Sequence, residues 1–440
     1  MKAIYVIPGI MGSRLSLGNE EIWPPSLSEL TVSHYSRMAQ LCDPATRATG
    51  LIDQVTHCYV VYGSLLDDLR SWGFKDTPNG GERGKLIPWP YDWRLDNRQT
   101  AQRLSSELTT AVAAGIDDIT LLAHSMGGLI ARYALEVTDP ALGNVSWRQQ
   151  CKRLVTLGTP HRGAPLALVR ALGMESTMGM RAQDIRSFTA DPRYPAAYQL
   201  LPPTQAFGFW NSAAEGVDLN DPRIVDQLKL NPQNLQAATQ LYQALHTGQR
   251  PPNCRYFCFV GRKLETIVRG DLDPTGHLTA PKVEEGGDGT VPLWSGTLPD
   301  TQFQLDGDEH GRTFRDPALR LTLARLLGVP VSLVRGPEDA APIVLKIPKP
   351  IFTAGEEARF RIESTLPIGT AIDVLLQPID QNGQDTAAPI VLTNITSQTP
   401  SDAIIFSIVL PPQVGLYKAY AVSTTTNTTS EPQYLAVQKQ

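Results

Sequence analysis

The chain has 440 residues, of which 42% are hydrophobic and 19% charged, with a formal net charge of -5. This composition argues against a disordered or fibrous protein, and the acidic balance without clustered Lys or Arg argues against a nucleic-acid partner. The length exceeds what one hydrophobic core usually supports, so two domains are expected.

From Met1 to about Val334, short apolar β-branched runs alternate with amphipathic helical stretches, the pattern of a mostly parallel sheet covered on both faces. AIYVIPG and KLIPWPY are the first strands. NRQTAQRLSSELTTAVAAG follows as a helix with Gly115 at its expected end. DITLLAH is a strand that runs straight into the helix LIARYALEV, and RLVTLGT is the next strand. Between GTPHRGAP and the strand RYFCFVG lies an insertion at about 165–250, longer than an ordinary connection and expected to be a cap. The helix PALRLTLARLLG closes this part, and GPEDAAP has the composition of a linker.

Beyond it the texture changes. Seven short runs, IVLKI, ARFRIE, AIDVLLQ, PIVLTN, AIIFSIVL, GLYKAYAV and YLAVQ, are separated by Pro, Gly and Asn turns. They read as an immunoglobulin-like β-sandwich, with Tyr417 as a tyrosine corner and Ala419 where an antibody domain carries its second Cys. The expected domains are therefore 1–335, an α/β body with its cap at about 165–250, and 342–440, the sandwich.

The chemistry centres on LLAHSMGGLIARYAL, a strand, a tight turn and a helix with small residues around Ser125. That is the context of a nucleophile elbow, with Ala123 in place of the usual first Gly. The fold orders its triad Ser, acid, His along the chain. Asp288, between glycines in VEEGGDGTVPLWS, is the expected acid, and His310, in GDEHGRTF just before the last helix, the expected base. Asp300, Asp306 and Asp308 compete for the acid role from solvated or multiply charged contexts, and His124 is read as a packing residue. Acyl transfer also needs oxyanion donors, expected from the backbone of Met126 and of Ile10 in PGIMGS.

PGIMGSRL, PYDWRL, AHSMGG, GTPHRGAP and GGDGTVPLWS occur in the order seen in one family. Over roughly residues 1 to 330 the chain resembles the lecithin:cholesterol acyltransferase family, which includes lysosomal phospholipase A2 and phospholipid:diacylglycerol acyltransferases. The resemblance implies the α/β-hydrolase fold, an acyl-serine intermediate on Ser125, lipid acyl esters as substrates, and the triad and oxyanion residues already named. It also brings Trp23 towards the acyl site, while Tyr91, Asp92, Trp93 and Arg94 match YDWR. Substrate contacts are expected from Trp23, Met11, Tyr91, Met174, Met178 and Phe207, although a cap that uses its Met and aromatic residues for its own core is the plainer alternative.

No run reaches the ~18 apolar residues of a membrane span, and MKAIYVIPGIMGS lacks the features of a signal peptide and reads as a core strand. The five cysteines Cys42, Cys58, Cys151, Cys254 and Cys258 make a poor disulfide framework, so a cytoplasmic protein is expected, with peripheral contact to a membrane surface open to it. Cys42 and Cys58 could pair across a loop, and CRYFC reads as a strand with buried thiols rather than metal ligands. No metal or organic cofactor is expected. A carboxylesterase or triacylglycerol lipase is the alternative within the enzyme class, and an inactive hydrolase body serving as a scaffold the alternative outside it.

Overall fold

The computed structural model of the protein describes residues 1–439 apart from 27–28, 31–33, 57–58, 307–308, 331–333, 335–341, 350, 381 and 398–402. A central sheet is formed by Lys2–Ile7 (β1), Phe74–Lys75 (β2), Gly84–Pro88 (β3), Asp118–His124 (β4), Cys151–Leu157 (β5), Arg255–Gly261 (β6) and Gln302–Asp306 (β7). Its spatial order is β7-β6-β5-β4-β1-β3-β2, and every neighbouring pair is parallel. The strands Ser13–Leu17, Glu20–Trp23 and Arg47–Leu51 form a separate small antiparallel sheet.

Helices cover both faces because successive side chains of the inner strands feed two different cores. Along β1, Ala3, Tyr5 and Ile7 enter one core and Ile4 and Val6 the other. The first core is closed by Asn97–Ala113 (α2) and Gly127–Glu136 (α3), the second by Gly63–Ser71 (α1) and Pro317–Leu326 (α9). Asp96 caps α2 by accepting from the amide of Arg98. This is the α/β-hydrolase fold.

Five expected strands and three expected helices stand where the sequence put them. The edge strands β2 and β7 were not foreseen. β2 has two residues, and β7 presents Phe303 and Leu305 to solvent, so neither carries the apolar run that marks an inner strand.

The cap contains Leu166–Ala171 (α4), Ala182–Thr189 (α5), Pro222–Leu228 (α6) and Pro232–Thr247 (α7). Leu166, Leu168, Tyr198, Leu201, Phe209 and Leu235 give it a core of its own, while Met180, Phe188 and Tyr194 join the main core. Most of its aromatic supply is therefore structural. After the cap, Leu293–Gly296 (α8) follows the acid loop.

The C-terminal part is a β-sandwich of Ile343–Lys346 (β8), Ile351–Thr353 (β9), Glu357–Ser364 (β10), Ala371–Ile379 (β11), Ile390–Thr396 (β12), Ile404–Val409 (β13), Gly415–Ser423 (β14) and Gln433–Gln438 (β15). One sheet runs β8-β10-β13 and the other β9-β15-β14-β11-β12, with Thr428–Thr429 paired to β14. All seven expected runs are strands. β9, which pairs parallel to β15, is an addition. Tyr417 makes the expected corner bond, its hydroxyl donating to the Gln413 carbonyl at 2.8 Å, and Ala419 is fully buried. The expected linker lies outside the described residues. Polar contacts join sandwich to body: Lys263 pairs with Glu363 at 2.8 Å, and Arg359 with Glu265 and Glu284 at 2.9 and 2.7 Å.

Candidate active site

β4 lies inside the sheet, bonded to β1 and β5, so its carboxyl end is a fixed point. There the chain reverses into α3 through Ser125, whose φ of 51° is left-handed. A non-glycine residue in that region costs roughly 1–3 kcal/mol and persists only where the surroundings enforce it. Here the Ser125 amide donates to the Leu157 carbonyl at 2.9 Å, and fully buried Ala123 precedes the turn.

The candidate base and acid come from later in the chain. His310 opens the short 3₁₀ turn His310–Arg315, and its amide donates to the Asp288 carbonyl at 3.0 Å. Its Nε2 lies 2.8 Å from Ser125 Oγ, and its Nδ1 lies 2.7 Å from Asp288 Oδ2. The other carboxylate oxygen, Oδ1, accepts from the amides of Thr290 and Val291 at 2.9 and 2.7 Å, which fixes the carboxylate. All three side chains are buried. A Cβ at Gly158, where φ is +55°, would stand 2.9 Å from Asp288 Oδ2 and 3.0 Å from His310 Nδ1, so only glycine leaves room for the pair.

Burial acts to lower the pKa of His310, but the charge of Asp288 and its hydrogen bond, with Glu309 adding, outweigh it, and the net shift is upward. Arg170 opposes them. Among the competing acids, Asp300 has a left-handed φ of 55°, and Asp308 lies outside the described residues. Asp306 is not solvated as expected: it is buried and accepts from the Thr313 hydroxyl at 2.9 Å, because β7 carries it to the sheet's end.

The loop after β1 abuts the serine. A Cβ on Gly9 would lie 2.7 Å from Ser125 Cβ and 3.3 Å from its Oγ, so Gly9 permits this approach. Next to it the amides of Ile10 and Met126 donate to no protein acceptor among the described residues. Trp23 and Tyr91 are wholly buried and hold this loop from behind. Trp23 Nε1 donates to the Met11 carbonyl at 2.9 Å, and the Tyr91 hydroxyl to the Pro8 carbonyl at 2.9 Å. Both were expected at the substrate; their polar atoms are spent on backbone carbonyls instead. The YDWR stretch serves the same loop and the next: Trp93 donates to the Ser13 carbonyl at 3.3 Å, and Arg94 donates to Asp92 and to the carbonyls of Leu41, Asp43 and Thr46.

Of the remaining substrate candidates, Met11 and Met178 are partly buried against the main core, as is Ile10. Met174 and Phe207 stand apart from them as exposed residues, 47% and 56% accessible. The sequence offered them as apolar residues of the cap and held nothing that fixed which way they face.

Two positioning residues were missed. His124 is more than packing: its Nε2 lies 2.9 Å from the His310 carbonyl and its Nδ1 lies 2.7 Å from the Tyr62 hydroxyl, which also accepts from the Gly9 amide at 2.8 Å. A carbonyl only accepts, so Nε2 carries the proton and Nδ1 accepts from Tyr62. Burial, followed by the repulsion of His310, lowers the His124 pKa to about 3, so this neutral tautomer persists. The bonds run from the Gly9 loop to the His310 turn through the residue beside Ser125. Residue 124 could be suspected from its adjacency to Ser125; Tyr62 has no local signal.

Residues 47–245 match the family model of lecithin:cholesterol acyltransferase, which bears out the resemblance drawn from the motifs over that span. Ser125 lies within it, and Asp288 and His310 lie beyond it. No curated protein matches the chain. Among solved structures, phospholipase PlaB from Legionella pneumophila is 11% identical and covers 100% of this chain and 92% of its own, with a TM-score of 0.34. The lin2722 product of Listeria innocua is 12% identical, covering 74% and 94%, with a TM-score of 0.32. The lipase BlEst2 of Bacillus licheniformis is 13% identical, covering 76% and 92%, with a TM-score of 0.30. Likeness this distant carries no inference about the chemistry of this chain.

Proposed function

We propose that the protein is a serine-dependent hydrolase or O-acyltransferase of lipid acyl esters, working through an acyl-enzyme on Ser125. The observation that carries this reading is the linked geometry of Ser125, His310 and Asp288 on a left-handed elbow beside two undonated amides. The family match supports the coarser class, a lipid-ester hydrolase or acyltransferase. Phospholipase A or lipid acyltransferase chemistry is the finer reading.

In the reaction, neutral His310 accepts the Ser125 proton at Nε2 as Oγ attacks the acyl carbonyl, and Asp288 holds Nδ1–H and stabilises the imidazolium. The amides of Ile10 and Met126 receive the oxyanion, each donor being worth about 10²–10³ in turnover. Collapse expels the alcohol, which takes the proton from His310 and leaves acyl-Ser125. Water or an acceptor alcohol then gives its proton to His310 and attacks the acyl carbon, releasing acid or a new ester and restoring the serine. No step calls for a metal or organic cofactor.

No helix among the described residues is long and apolar enough to cross a membrane. A cytoplasmic site of action with peripheral contact to lipid surfaces agrees with the free thiols of Cys42, Cys151, Cys254 and Cys258. Cys58, the suggested partner of Cys42, lies outside the described residues.

The test is labelling with a fluorophosphonate, expected in the wild type and absent in Ser125→Ala, followed by mass spectrometry of products from a mixed lipid extract. Free fatty acid and lysophospholipid would support phospholipase action and new esters acyl transfer. Turnover of neutral esters alone would point to a carboxylesterase or triacylglycerol lipase, and equal turnover by Ser125→Ala would overturn the proposal.

A further inference from the structure

A cavity of about 1020 Å³ lies between α7, the far half of α3 and the loops at 201–206 and 297–299. None of Ser125, Asp288, His310 and Ile10 lines it. Arg132 is seven residues past the nucleophile, about 10 Å along the helix axis.

Part of the cavity wall is polar and positively charged. Arg132, Glu136, His161, Arg162, Tyr242 and Arg250 line it. Arg132 is satisfied by Glu136 through two bonds of 3.0 and 2.9 Å. Arg162 and Arg250 have no carboxylate partner among the described residues. Their guanidiniums lie over the rings of Trp294 and Tyr256 at 5.7 and 5.3 Å, and Arg250 gives one bond to the Pro299 carbonyl at 2.8 Å. The other carboxylate in the wall, Asp218, accepts from Thr204 and Asn220.

Among these charges are buried polar atoms with no partner among the described residues: His161 Nδ1, Tyr242 Oη and, behind the wall, Tyr256 Oη. Each of these residues is more than nine-tenths buried. Native proteins pair almost all such atoms, so the two that belong to lining residues, His161 Nδ1 and Tyr242 Oη, call for a guest. Thr156 Oγ1 lies 3.3 Å from His161 Nε2. Cys258 Sγ lies 3.7 Å from the same nitrogen, and with a donor at Nε2 the neutral imidazole carries its proton on Nδ1. The wall also carries the apolar side chains of Leu201, Leu235, Ala238, Leu245 and Leu298, set among polar ones that include Gln236, Thr239 and Gln243.

We propose that this cavity binds an anionic amphiphile with one acyl chain, its carboxylate or phosphate head held by His161 Nδ1, the Tyr242 hydroxyl, Arg162 and Arg250 and its tail laid along the leucines. The site is tied to the catalytic loops. The amide of His161 donates to the Ser295 carbonyl at 2.9 Å, that of Arg162 donates to Ser295 Oγ at 3.0 Å, and the Ser295 hydroxyl donates to the Gly163 carbonyl at 2.6 Å, on the helix that follows Asp288. The binding claim stands without the proposed reaction.

The full-length Ser125→Ala protein is titrated with palmitate, with palmitoyl lysophosphatidate and with inorganic phosphate, using calorimetry and native mass spectrometry. At least one amphiphile is expected to bind one to one and far more tightly than phosphate; which one identifies the head. Arg250→Ala and Tyr242→Phe should each weaken it about tenfold or more, with Tyr242→Phe retaining the wild-type melting temperature as the control for folding. Wild type labelled at Ser125 by a fluorophosphonate should bind as well as unlabelled protein. The proposal is overturned by absence of saturable binding, by phosphate binding as tightly as the amphiphiles, by indifference to both substitutions, or by loss of binding on labelling, which would move the ligand to the active site. Failure of the label to attach to Ser125 would count against the proposed reaction and not against this site.

Discussion

Arg312 donates through Nη1 to Gln433 Oε1 at 2.7 Å and through Nη2 to the Tyr434 carbonyl at 2.8 Å, so the turn that carries the candidate base is fastened to the last strand of the C-terminal sandwich. Arg312 is buried and stands two residues beyond His310 in the same 3₁₀ turn. Bracing is thus a concrete role for the sandwich. Arg312→Ala leaves Gln433 Oε1 and a backbone carbonyl without their donor and should cost about 1.5–3 kcal/mol of stability. Turnover should fall by more than KM rises, since the base and not the acyl pocket is loosened. Steady-state kinetics beside a denaturant titration decides it, and unchanged kcat would mean that the contact holds the two parts together without serving the base.

The pH profile follows from His310. Its pKa is raised, and the base works only when neutral, so kcat/KM should climb with pH through a midpoint above that of an ordinary histidine. The same shift stabilises the fold below the unfolded-state pKa, and that contribution is lost as pH rises through the folded one. In Asp288→Asn the leading upward influences disappear while burial remains. The midpoint should drop and turnover fall by about 10⁴. A wild-type midpoint below 6 would contradict the assignment.

Tyr62→Phe tests the hydrogen-bonded run from Gly9 to His124. It removes an acceptor from a buried amide and a donor from a buried imidazole, for an expected loss of about 1–3 kcal/mol in stability. Because the Gly9–Ile10 loop is what shifts, acyl transfer should slow while substrate affinity changes little. Titration of single-turnover rates against substrate concentration separates the two, and a pure KM effect would assign Tyr62 to binding.

Arg94 is 1% exposed and bonded both to Asp92 and to three carbonyls of the loop after residue 40. Arg94→Ala strands the carboxylate of Asp92, and breaking a buried pair in this way costs about 3–5 kcal/mol. Arg94→Lys cannot reproduce the planar fork and should recover only part of the loss. Thermal unfolding of the three proteins provides the comparison; equal melting temperatures would show that the pair is dispensable.

Much of the candidate site was legible because it depends on local chemistry. A tight turn between a β-branched strand and a helix needs small residues around Ser125, and the loop that turns Asp288 inward needs glycines, so both leave marks in a few consecutive letters. The seven runs of the sandwich and the corner made by Tyr417 are visible for the same reason: alternation of apolar residues and turn chemistry act over short distances. The residues expected at the substrate were harder to place. Trp23 and Tyr91 rest on the family resemblance and Met174 and Phe207 on apolar character, and neither says whether a side chain faces a loop carbonyl, a core or solvent.

The amino-acid order by itself determined the strand-turn-helix around Ser125, the sequence of acid and base, and the division into a hydrolase-like body and a β-rich end, because periodicity and turn sterics are properties of neighbouring residues. Only the folded chain decided that Tyr62 and His124 join the Gly9 loop to His310, that Asp306 is buried, that Arg312 reaches Gln433, and that two guanidiniums and buried polar atoms unpaired among the described residues share one cavity. The hydrogen bonds of Tyr62, His124 and Arg312 join groups from 53 to 186 positions apart. They arise when packing brings distant segments within hydrogen-bonding range, and neither composition nor local pattern encodes that distance.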